Sequence, residues 1–214
     1  MRKALGHPLV WLVASSTAAL LMVALFVVKA LSLHASAQAP AASPNAFVAD
    51  IVIPAKTSPA PDFNLTDQTG HAVSLAGLRG RALAITFLDS HCKQLCPLEG
   101  DQSGQVQRSL PGSLPVSLLV VSVAPATDTA DSERAFATAH HWSGDWHWVS
   151  GPQPELAAVW KAYSIAVQPS PDDILHSAVV YLVDKGGYER AGFAAGLEPS
   201  RVAQDLRLLA REQG

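Results

Sequence analysis

A Cys-x-x-x-Cys-Pro motif at residues 92–97 contains both cysteines of the chain, Cys92 and Cys96. Two thiols at this spacing can share a soft metal ion or interconvert with a disulfide. In the chain-entropy model, a disulfide that closes a loop of about 5 residues contributes about 2 kcal/mol, against about 4.7 kcal/mol for a loop of ~100 residues. We therefore interpret Cys92 and Cys96 as a functional pair and not as a structural crosslink.

Apolar runs predict the strands that position this pair. Leu83–Leu88, Val116–Val123 and Ala178–Val183 are nearly continuous in apolar residues. Such runs are typical of strands that are buried on both faces of a sheet. Two shorter segments, Phe63–Thr66 and Ala72–Leu75, flank a turn at residues 67–70 and predict a pair of short strands.

Helical patterns alternate with these strands. A helix capped by Asp128 or Thr129 is expected to reach His140, another covers residues 155–163, and the last is capped by Ser200. This alternation predicts an α/β layer fold with a largely parallel central sheet. The thiol pair then falls where a central strand ends and a helix begins, which is the edge where such sheets carry their chemistry.

A helix N-terminus carries unpaired N–H groups and a partial positive charge, so it lowers the pKa of a nearby thiol. Cys92, on the connecting loop, is expected to be the more reactive cysteine. Two soft thiolates suit Cu(I), and an imidazole would complete a trigonal site.

The histidines leave the third ligand open. His91 adjoins Cys92 and can tune it or bind metal, although adjacent side chains rarely point to one centre. The cluster of His140, His141 and His147 with three tryptophans is a candidate metal site, but a helix end and loop with aromatic packing explains it more simply. By spacing alone, His71 is a turn-adjacent surface residue and His176 is a loop residue before a strand.

The N-terminal segment predicts a membrane anchor. Residues 4–28 contain no Asp, Glu, Lys or Arg, and about 20 such residues span a hydrocarbon core of about 30 Å as a helix. Arg2 and Lys3 precede the run, which favours an N-terminus inside and the remainder outside. The alternative is a cleaved signal peptide with its small-residue site at residues 35–37. Both place the thiols on the extracytoplasmic side, the periplasmic face of the inner membrane in a bacterium, where reduction needs a dedicated electron supply.

Composition divides the rest of the chain. Residues 1–33 form the expected anchor, residues 34–60 an Ala-, Pro- and Ser-rich linker with a short strand at Phe47–Ile53, and residues 61–214 one compact domain. The formal net charge is -3, so nothing indicates a nucleic-acid partner.

From about Pro61 to the C-terminus, the chain resembles the Sco/SenC family of membrane-anchored proteins. The matching segments are residues 61–70, 78–81 and 86–87, then Cys92-x-x-x-Cys96-Pro97-Leu98, and later His176-Ser177 before residues 180–184. The resemblance implies a thioredoxin-like fold, which is a central mixed sheet flanked by helices, with an added N-terminal β-hairpin and one preceding transmembrane helix. It also implies that Cys92, Cys96 and His176 bind copper, as Cu(I) or Cu(II).

The resemblance implies a metallochaperone and not an enzyme in the strict sense. Such a protein delivers copper to, or prepares, the binuclear copper site of cytochrome c oxidase. Its expected partners are a copper-receiving oxidase subunit, a copper donor protein or thiol reductant, and the membrane itself. The alternative is a membrane-anchored thiol–disulfide oxidoreductase in which Cys92 attacks and Cys96 resolves.

Two departures from the family pattern bear on these expectations. Ala124 stands where members commonly carry an aspartate, so any function of that carboxylate is missing, and residues 146–163 look more like divergent, redoxin-like members. A peroxidase of the peroxiredoxin kind is disfavoured, because Asp89 occupies the position of the threonine that such enzymes have three residues before the reactive cysteine. An anchored binding domain with an inert disulfide is the remaining alternative.

Overall fold

The computed structural model describes residues 46–169, 174–194 and 198–212. Within these ranges, a central eight-stranded sheet is covered by apolar clusters, and a separate two-stranded hairpin lies outside it. Helices and strands alternate along much of the chain. The prediction of an α/β fold is therefore confirmed for the described part of the chain.

The strands of the described ranges are numbered in chain order. They are β1 (Ile51–Val52), β2 (Asn64–Asp67), β3 (Ala72–Ser74), β4 (Ala82–Leu88), β5 (Val116–Ser122), β6 (Trp146–Ser150), β7 (Val167–Pro169), β8 (Ile174–His176), β9 (Val179–Val183) and β10 (Glu189–Ala194). The three apolar runs in the sequence correspond to β4, β5 and β9, with bounds that differ by one residue. The predicted pair of short strands corresponds to β2 and β3, which are antiparallel.

The helices are likewise numbered in chain order. They are α1 (Cys96–Ser109), α2 (Ala130–Ala139), α3 (Gln153–Ala162) and α4 (Pro199–Arg211), and a short 3₁₀ helix covers Ala76–Leu78. Of the two predicted caps, Thr129 and not Asp128 caps α2, because its side chain accepts a hydrogen bond from the Ser132 N–H while Ser132 bonds back to Thr129. The expectation that Ser200 caps the last helix is wrong. Glu198 occupies the cap position, and Pro199 begins the helix with a φ that proline already favours.

The large sheet is mixed. Its strand order is β1-β10-β9-β4-β5-β6-β2-β3. Among the described strands, parallel pairing joins only β4, β5 and β6, and all other neighbours are antiparallel. The expectation of a largely parallel sheet is therefore wrong. It failed because β10, which forms a hairpin with β9, carries no continuous apolar run, and a short hairpin connection can join only antiparallel strands.

A second correction concerns the segment around the tryptophans. The sequence suggested a helix end and a loop over residues 140–148, but Trp146–Ser150 is a strand, β6, paired with β5 on one side and β2 on the other. Trp142, Trp146 and Trp148 do pack together, as that interpretation required. β6 was missed because a strand of five residues with mixed burial lacks the periodicity of a longer element.

The sheet separates two apolar cores. Every residue of β4 is buried, and alternate side chains of this strand point to opposite faces. Ala84 and Leu88 belong to the core beneath α1 and α4, whereas Ile85 and Phe87 belong to the core beneath α3. β4 is therefore the strand on which both layers are built.

Residues 46–60, which the sequence assigns to the linker, contact the domain. β1 pairs with β10, and the buried carboxylate of Asp205 accepts a hydrogen bond from the Val48 N–H at 3.0 Å. Further along, the Ala60 N–H donates to the Gly187 carbonyl oxygen at 3.0 Å. The described residues all belong to one compact unit.

No helix within the described ranges is long and apolar enough to cross a membrane. The predicted anchor at residues 1–33 lies outside those ranges.

Helices α1 and α2 approach each other through glycines of α1. A Cβ atom at Gly100 would lie 2.7 Å from Phe136 Cε1 and 2.8 Å from His140 Cδ2. At Gly104, the nearest atom would be the backbone carbonyl oxygen of His140. The Trp142 Nε1–H donates to the Gly100 carbonyl oxygen at 2.8 Å and closes the same contact.

We expect Gly104→Ala to lower the free energy of unfolding by about 1–3 kcal/mol, the usual cost of overpacking. The backbone carbonyl of His140 cannot move aside as the end of a flexible side chain can. Urea unfolding of the full chain measures the change. Gly112→Ala is the matched control, because a Cβ there meets nothing within 4 Å. Equal unfolding midpoints for the two variants would contradict the close contact between α1 and α2.

Candidate metal centre

Cys92 and Cys96 lie at the carboxyl end of β4. The strand ends at Leu88, a short loop carries Cys92, and Cys96 is the first residue of α1. Pro97 follows in the first turn, where its missing N–H removes no helical hydrogen bond. The prediction that the pair lies where a central strand ends and a helix begins is confirmed.

The two thiols have different surroundings. Cys96 is fully buried, and Cys92 is half-buried; both are free. Burial raises the pKa of the Cys96 thiol, and the neighbouring Cys92 thiol and the Glu99 carboxyl raise it further. The sequence predicted a lowered thiol pKa at this helix end. For Cys96, the loss of hydration outweighs the favourable helix terminus.

His176 contacts Cys96. The distance from Cys96 Sγ to His176 Nε2 is 3.4 Å, although the two residues are 80 positions apart in the chain. The Nδ1 atom of the same ring lies 3.1 Å from the Ser177 carbonyl oxygen. Because a carbonyl oxygen only accepts, Nδ1 is the donor in that contact, and Nε2 is the ring nitrogen that faces the sulfur.

Strand pairing explains why the two residues meet. β9 runs antiparallel to β4, with Leu83 opposite Val183 and Ile85 opposite Tyr181. The start of β9 therefore lies at the edge where β4 ends. Cys96 follows the end of β4, and His176 precedes the start of β9, so the topology brings them to one edge of the sheet.

A small hairpin, β7–β8, fixes the position of His176. His176 is paired with Val167 across this hairpin. The Ser177 N–H donates to the Ala166 carbonyl oxygen at 3.0 Å, and the Ala166 N–H donates to Ser177 Oγ at 3.1 Å. These bonds hold the carbonyl of Ser177 that orients the imidazole.

Cys96 and His176 are spaced as two ligands of one metal ion would be. For a metal–sulfur bond of about 2.3 Å and a metal–nitrogen bond of about 2.0 Å, ligands at 110–120° lie about 3.5–3.7 Å apart. The observed Cys96–His176 distance of 3.4 Å is close to this separation. Among the described residues, the donor atoms of Cys92, Cys96 and His176 do not all lie within 4.8 Å of one another, so the structure pairs Cys96 with His176 and places Cys92 on the adjoining loop. Sulfur and imidazole donors are the combination that suits copper and zinc.

The other histidines of the described residues make different contacts. His71 Nδ1 lies 2.7 Å from Thr69 Oγ1, His140 Nδ1 lies 2.7 Å from Asp101 Oδ1, and His147 Nδ1 lies 3.1 Å from Asp67 Oδ2. His141 is an exposed residue with a positive φ in the turn after α2. Among the histidines whose contacts are described, only His176 has a contact to a cysteine.

His91 belongs to a polar cluster that the sequence did not reveal. Its Nδ1 lies 3.9 Å from a carboxylate oxygen of Asp89 and of Asp128. The buried Asp128 carboxylate accepts hydrogen bonds from the Ser90 N–H at 2.9 Å and from Ser122 Oγ at 2.5 Å. Asp128 thus ties the loop that carries Cys92 to the end of β5. No local pattern predicts this, because Ser90 and Asp128 are 38 residues apart.

Buried carboxyls surround this edge of the sheet. Burial raises the pKa of Glu99, on α1, to about 7. Burial also raises the pKa of Glu133, on α2, to about 7, and the neighbouring Asp128 carboxyl adds to the effect. Glu133 is only 3% exposed. Because both pKa values are raised, the folded protein near neutral pH retains protons that an unfolded chain has released.

These features define a thioredoxin-like α/β protein with a dithiol at the carboxyl end of its central strand. The chain matches the SCO1/SenC family over residues 53–211. This match covers more than half of the 214 residues, and the chain belongs to the SCO1/SenC family.

Similar proteins carry the Sco name. The chain is 29% identical over 159 residues to the Bos taurus protein "Protein SCO2 homolog, mitochondrial", a match that covers 68% of this chain and 58% of that relative. It therefore spans little more than half the length of this curated relative.

Solved structures share the fold. Bradyrhizobium japonicum ScoI with copper bound is 27% identical, with a TM-score of 0.62 over 71% of this chain and 99% of that chain. BsSco, described with a disulfide switch and as a member of the Sco family of cytochrome c oxidase assembly proteins, is 20% identical. Its TM-score is 0.66 over 76% of this chain and 99% of that chain.

We expect Glu133→Gln to change how stability depends on pH. The ordinary pKa of glutamate is 4.5, and the folded-state pKa of Glu133 is about 7. At a pH between these two values, Glu133 of the folded wild type holds a proton that the unfolded chain lacks. Wild-type stability therefore falls as pH rises through this window. The glutamine variant has no titrating group at this position, so its stability does not fall in this way. Between pH 5 and pH 8, its free energy of unfolding relative to wild type should therefore rise by about 2–3 kcal/mol.

Denaturant unfolding of both proteins at the two pH values measures this difference. Glu155→Gln, which changes an exposed glutamate of α3, is the matched control and should leave the wild-type pH dependence unchanged. The same pH dependence in Glu133→Gln and wild type would show that Glu133 does not titrate in this range.

Proposed function

We propose that this chain binds copper through Cys92, Cys96 and His176, and that it delivers copper to, or prepares, the binuclear copper site of cytochrome c oxidase. The observation that carries the proposal is the 3.4 Å contact between Cys96 Sγ and His176 Nε2. Membership of the family supports it, as does copper in the Bradyrhizobium japonicum relative. Copper is the cargo here, and the protein acts as a carrier and not as an enzyme.

The surroundings of the ligands support loading and release. Cys96 is fully buried and neutral in the folded protein, so a bound cation must displace its proton. His176 already directs its Nε2 at the sulfur. Cys92 and His176 are only half-buried, so a partner's ligands can reach copper from the side of the loop and the hairpin. The partner would be a copper-receiving oxidase subunit.

A thiol–disulfide exchange function is the second candidate, favoured by the exposure difference between the thiols. The half-buried Cys92 can attack a disulfide of a partner and form a mixed disulfide, and one partner thiol leaves. Cys96 then displaces the second partner thiol. The products are a Cys92–Cys96 disulfide and a reduced partner, and an external thiol reductant must restore the dithiol.

We further propose that residues 1–33 anchor the chain and hold the domain on the extracytoplasmic side of a membrane. The run at residues 4–28 that lacks Asp, Glu, Lys and Arg supports this.

In a bacterial host, the C-terminally tagged full chain should stay in the membrane pellet after alkaline carbonate washing, at the mass of 214 residues. Deletion of residues 1–33 should release it. A shortened, soluble product from the intact chain would instead indicate a cleaved signal peptide.

A Cu(I) titration of the reduced full-length protein against a strong competing chelator tests the ligand set. We expect one tight equivalent for wild type. Cys92→Ser, Cys96→Ser and His176→Ala should each weaken binding by more than about 100-fold, because loss of a ligand exceeds the 10–100-fold cost of second-shell changes. His71→Ala, which changes an exposed histidine beside a turn, is the matched control and should bind like wild type.

Two results would contradict the copper proposal: no tight binding by wild type, or binding that does not depend on His176. Reductase turnover with a disulfide substrate then separates the functions. The exchange reaction requires both cysteines but not His176. Turnover that survives His176→Ala in a protein without tight copper binding would favour thiol–disulfide exchange.

A further inference from the structure

A cavity of about 180 Å³ lies between α1, α4 and the sheet. Most of its sheet residues lie near the beginnings of β4 and β5, away from the cysteines, and Val180 of β9 also contributes. An engineered cavity of about 150 Å³ is known to accept benzene, so this one has room for a single substituted ring.

The walls of the cavity are mainly apolar. Side chains from α1 and its C-cap, from α4 and from the strands β5 and β9 contribute: Val106, Leu110, Val202, Leu206, Leu118 and Val180. Because such walls give water few hydrogen-bond partners, they favour an apolar occupant.

One polar side chain in the lining has a hydrogen-bond donor without a partner among the described residues. Gln107 Nε2 is buried and has no hydrogen-bond partner among the described residues. The orientation of the amide is fixed, because Gln107 Oε1 accepts a hydrogen bond from the Ser143 N–H at 3.0 Å, and a backbone N–H can only donate. A buried amide donor without a partner costs free energy, which an acceptor on a ligand would recover.

The charges in the lining compensate each other. Arg81 Nη1 lies 3.5 Å from Asp145 Oδ2, and both side chains are partly exposed. Ser117 Oγ also donates to the Asp145 carboxylate. A charged ligand would have to disturb this pair, whereas a neutral ligand leaves it intact.

We propose that this cavity binds a small neutral molecule with an apolar body about the size of a benzene ring and a carbonyl oxygen that accepts a hydrogen bond from Gln107 Nε2. The site is independent of Cys92, Cys96 and His176. It adds a ligand-binding function at the end of the sheet where β4 and β5 begin.

Acetophenone is a suitable probe, and ethylbenzene is its isostere without the acceptor. The full-length protein in lipid nanodiscs is titrated by NMR, with the free probe concentration fixed by dialysis. Acetophenone should produce saturable shifts of the Gln107 side-chain amide and of the Val106 and Leu206 methyl groups. It should bind about 5–10-fold more tightly than ethylbenzene, the preference that one net hydrogen bond provides.

Gln107→Leu should abolish this preference, because both probes then meet the same apolar wall. Gln105→Leu is the matched control, since Gln105 is an exposed residue on the same helix, and it should retain the preference. Gln107→Met is the second variant if the leucine variant does not fold, and it should also lose the preference because a thioether has no donor.

Two outcomes would overturn the proposal. Absence of saturable shifts with either probe would show that the cavity admits only water. Equal affinity of wild type for acetophenone and ethylbenzene would show that the Gln107 amide does not contribute to recognition.

Discussion

The burial of β4 along its whole length is the constraint on which the structure depends. Its side chains alternate between two apolar cores, so this one strand joins the layer of α1 and α4 to the layer of α3. Its backbone is parallel to β5 on one side and antiparallel to β9 on the other. The antiparallel pairing with β9 matters most for function. It brings the segment before β9, with His176, to the edge where β4 delivers Cys92 and Cys96.

The balance between burial and helix polarity sets the chemistry of this edge. A cysteine at a helix N-terminus is commonly a thiolate, but Cys96 lies in the core, and desolvation raises its pKa. The buried Cys96 thiol lies next to Nε2 of the His176 imidazole. A cation that replaces the thiol proton supplies the positive charge that a buried thiolate needs. Burial therefore keeps the Cys96 thiol unreactive by itself, and the same burial favours a cation next to its sulfur.

The carboxyls near this edge follow the same physics. Glu99 and Glu133 are buried, and loss of hydration raises both pKa values to about 7. Asp128 is also buried, but hydrogen bonds from Ser90 and Ser122 satisfy its oxygens and hold the cysteine loop against β5. Ala124 stands where the family commonly has an aspartate, yet a carboxylate is still present near the loop, four residues further along the chain.

The sequence determined the features that depend on neighbouring residues. Continuous apolar runs gave β4, β5 and β9 to within one residue, and Thr129 was recognised as a helix cap because capping acts over three residues. The alternation of strands and helices located the thiol pair where a central strand ends and a helix begins. The family resemblance, and not the spacing, singled out His176 among eight histidines.

Only the tertiary structure decided which distant segments meet. β6 and β10 were missed because the pairing partners that stabilise a short strand lie elsewhere in the chain. The same holds for the Cys96–His176 contact across 80 residues, the Ser90–Asp128 bonds across 38, and the cavity beside Gln107. Local patterns report what a segment prefers, whereas strand register and packing decide which side chains share a site. Burial, which set the pKa of Cys96 against the local expectation, is likewise a property of the assembled fold.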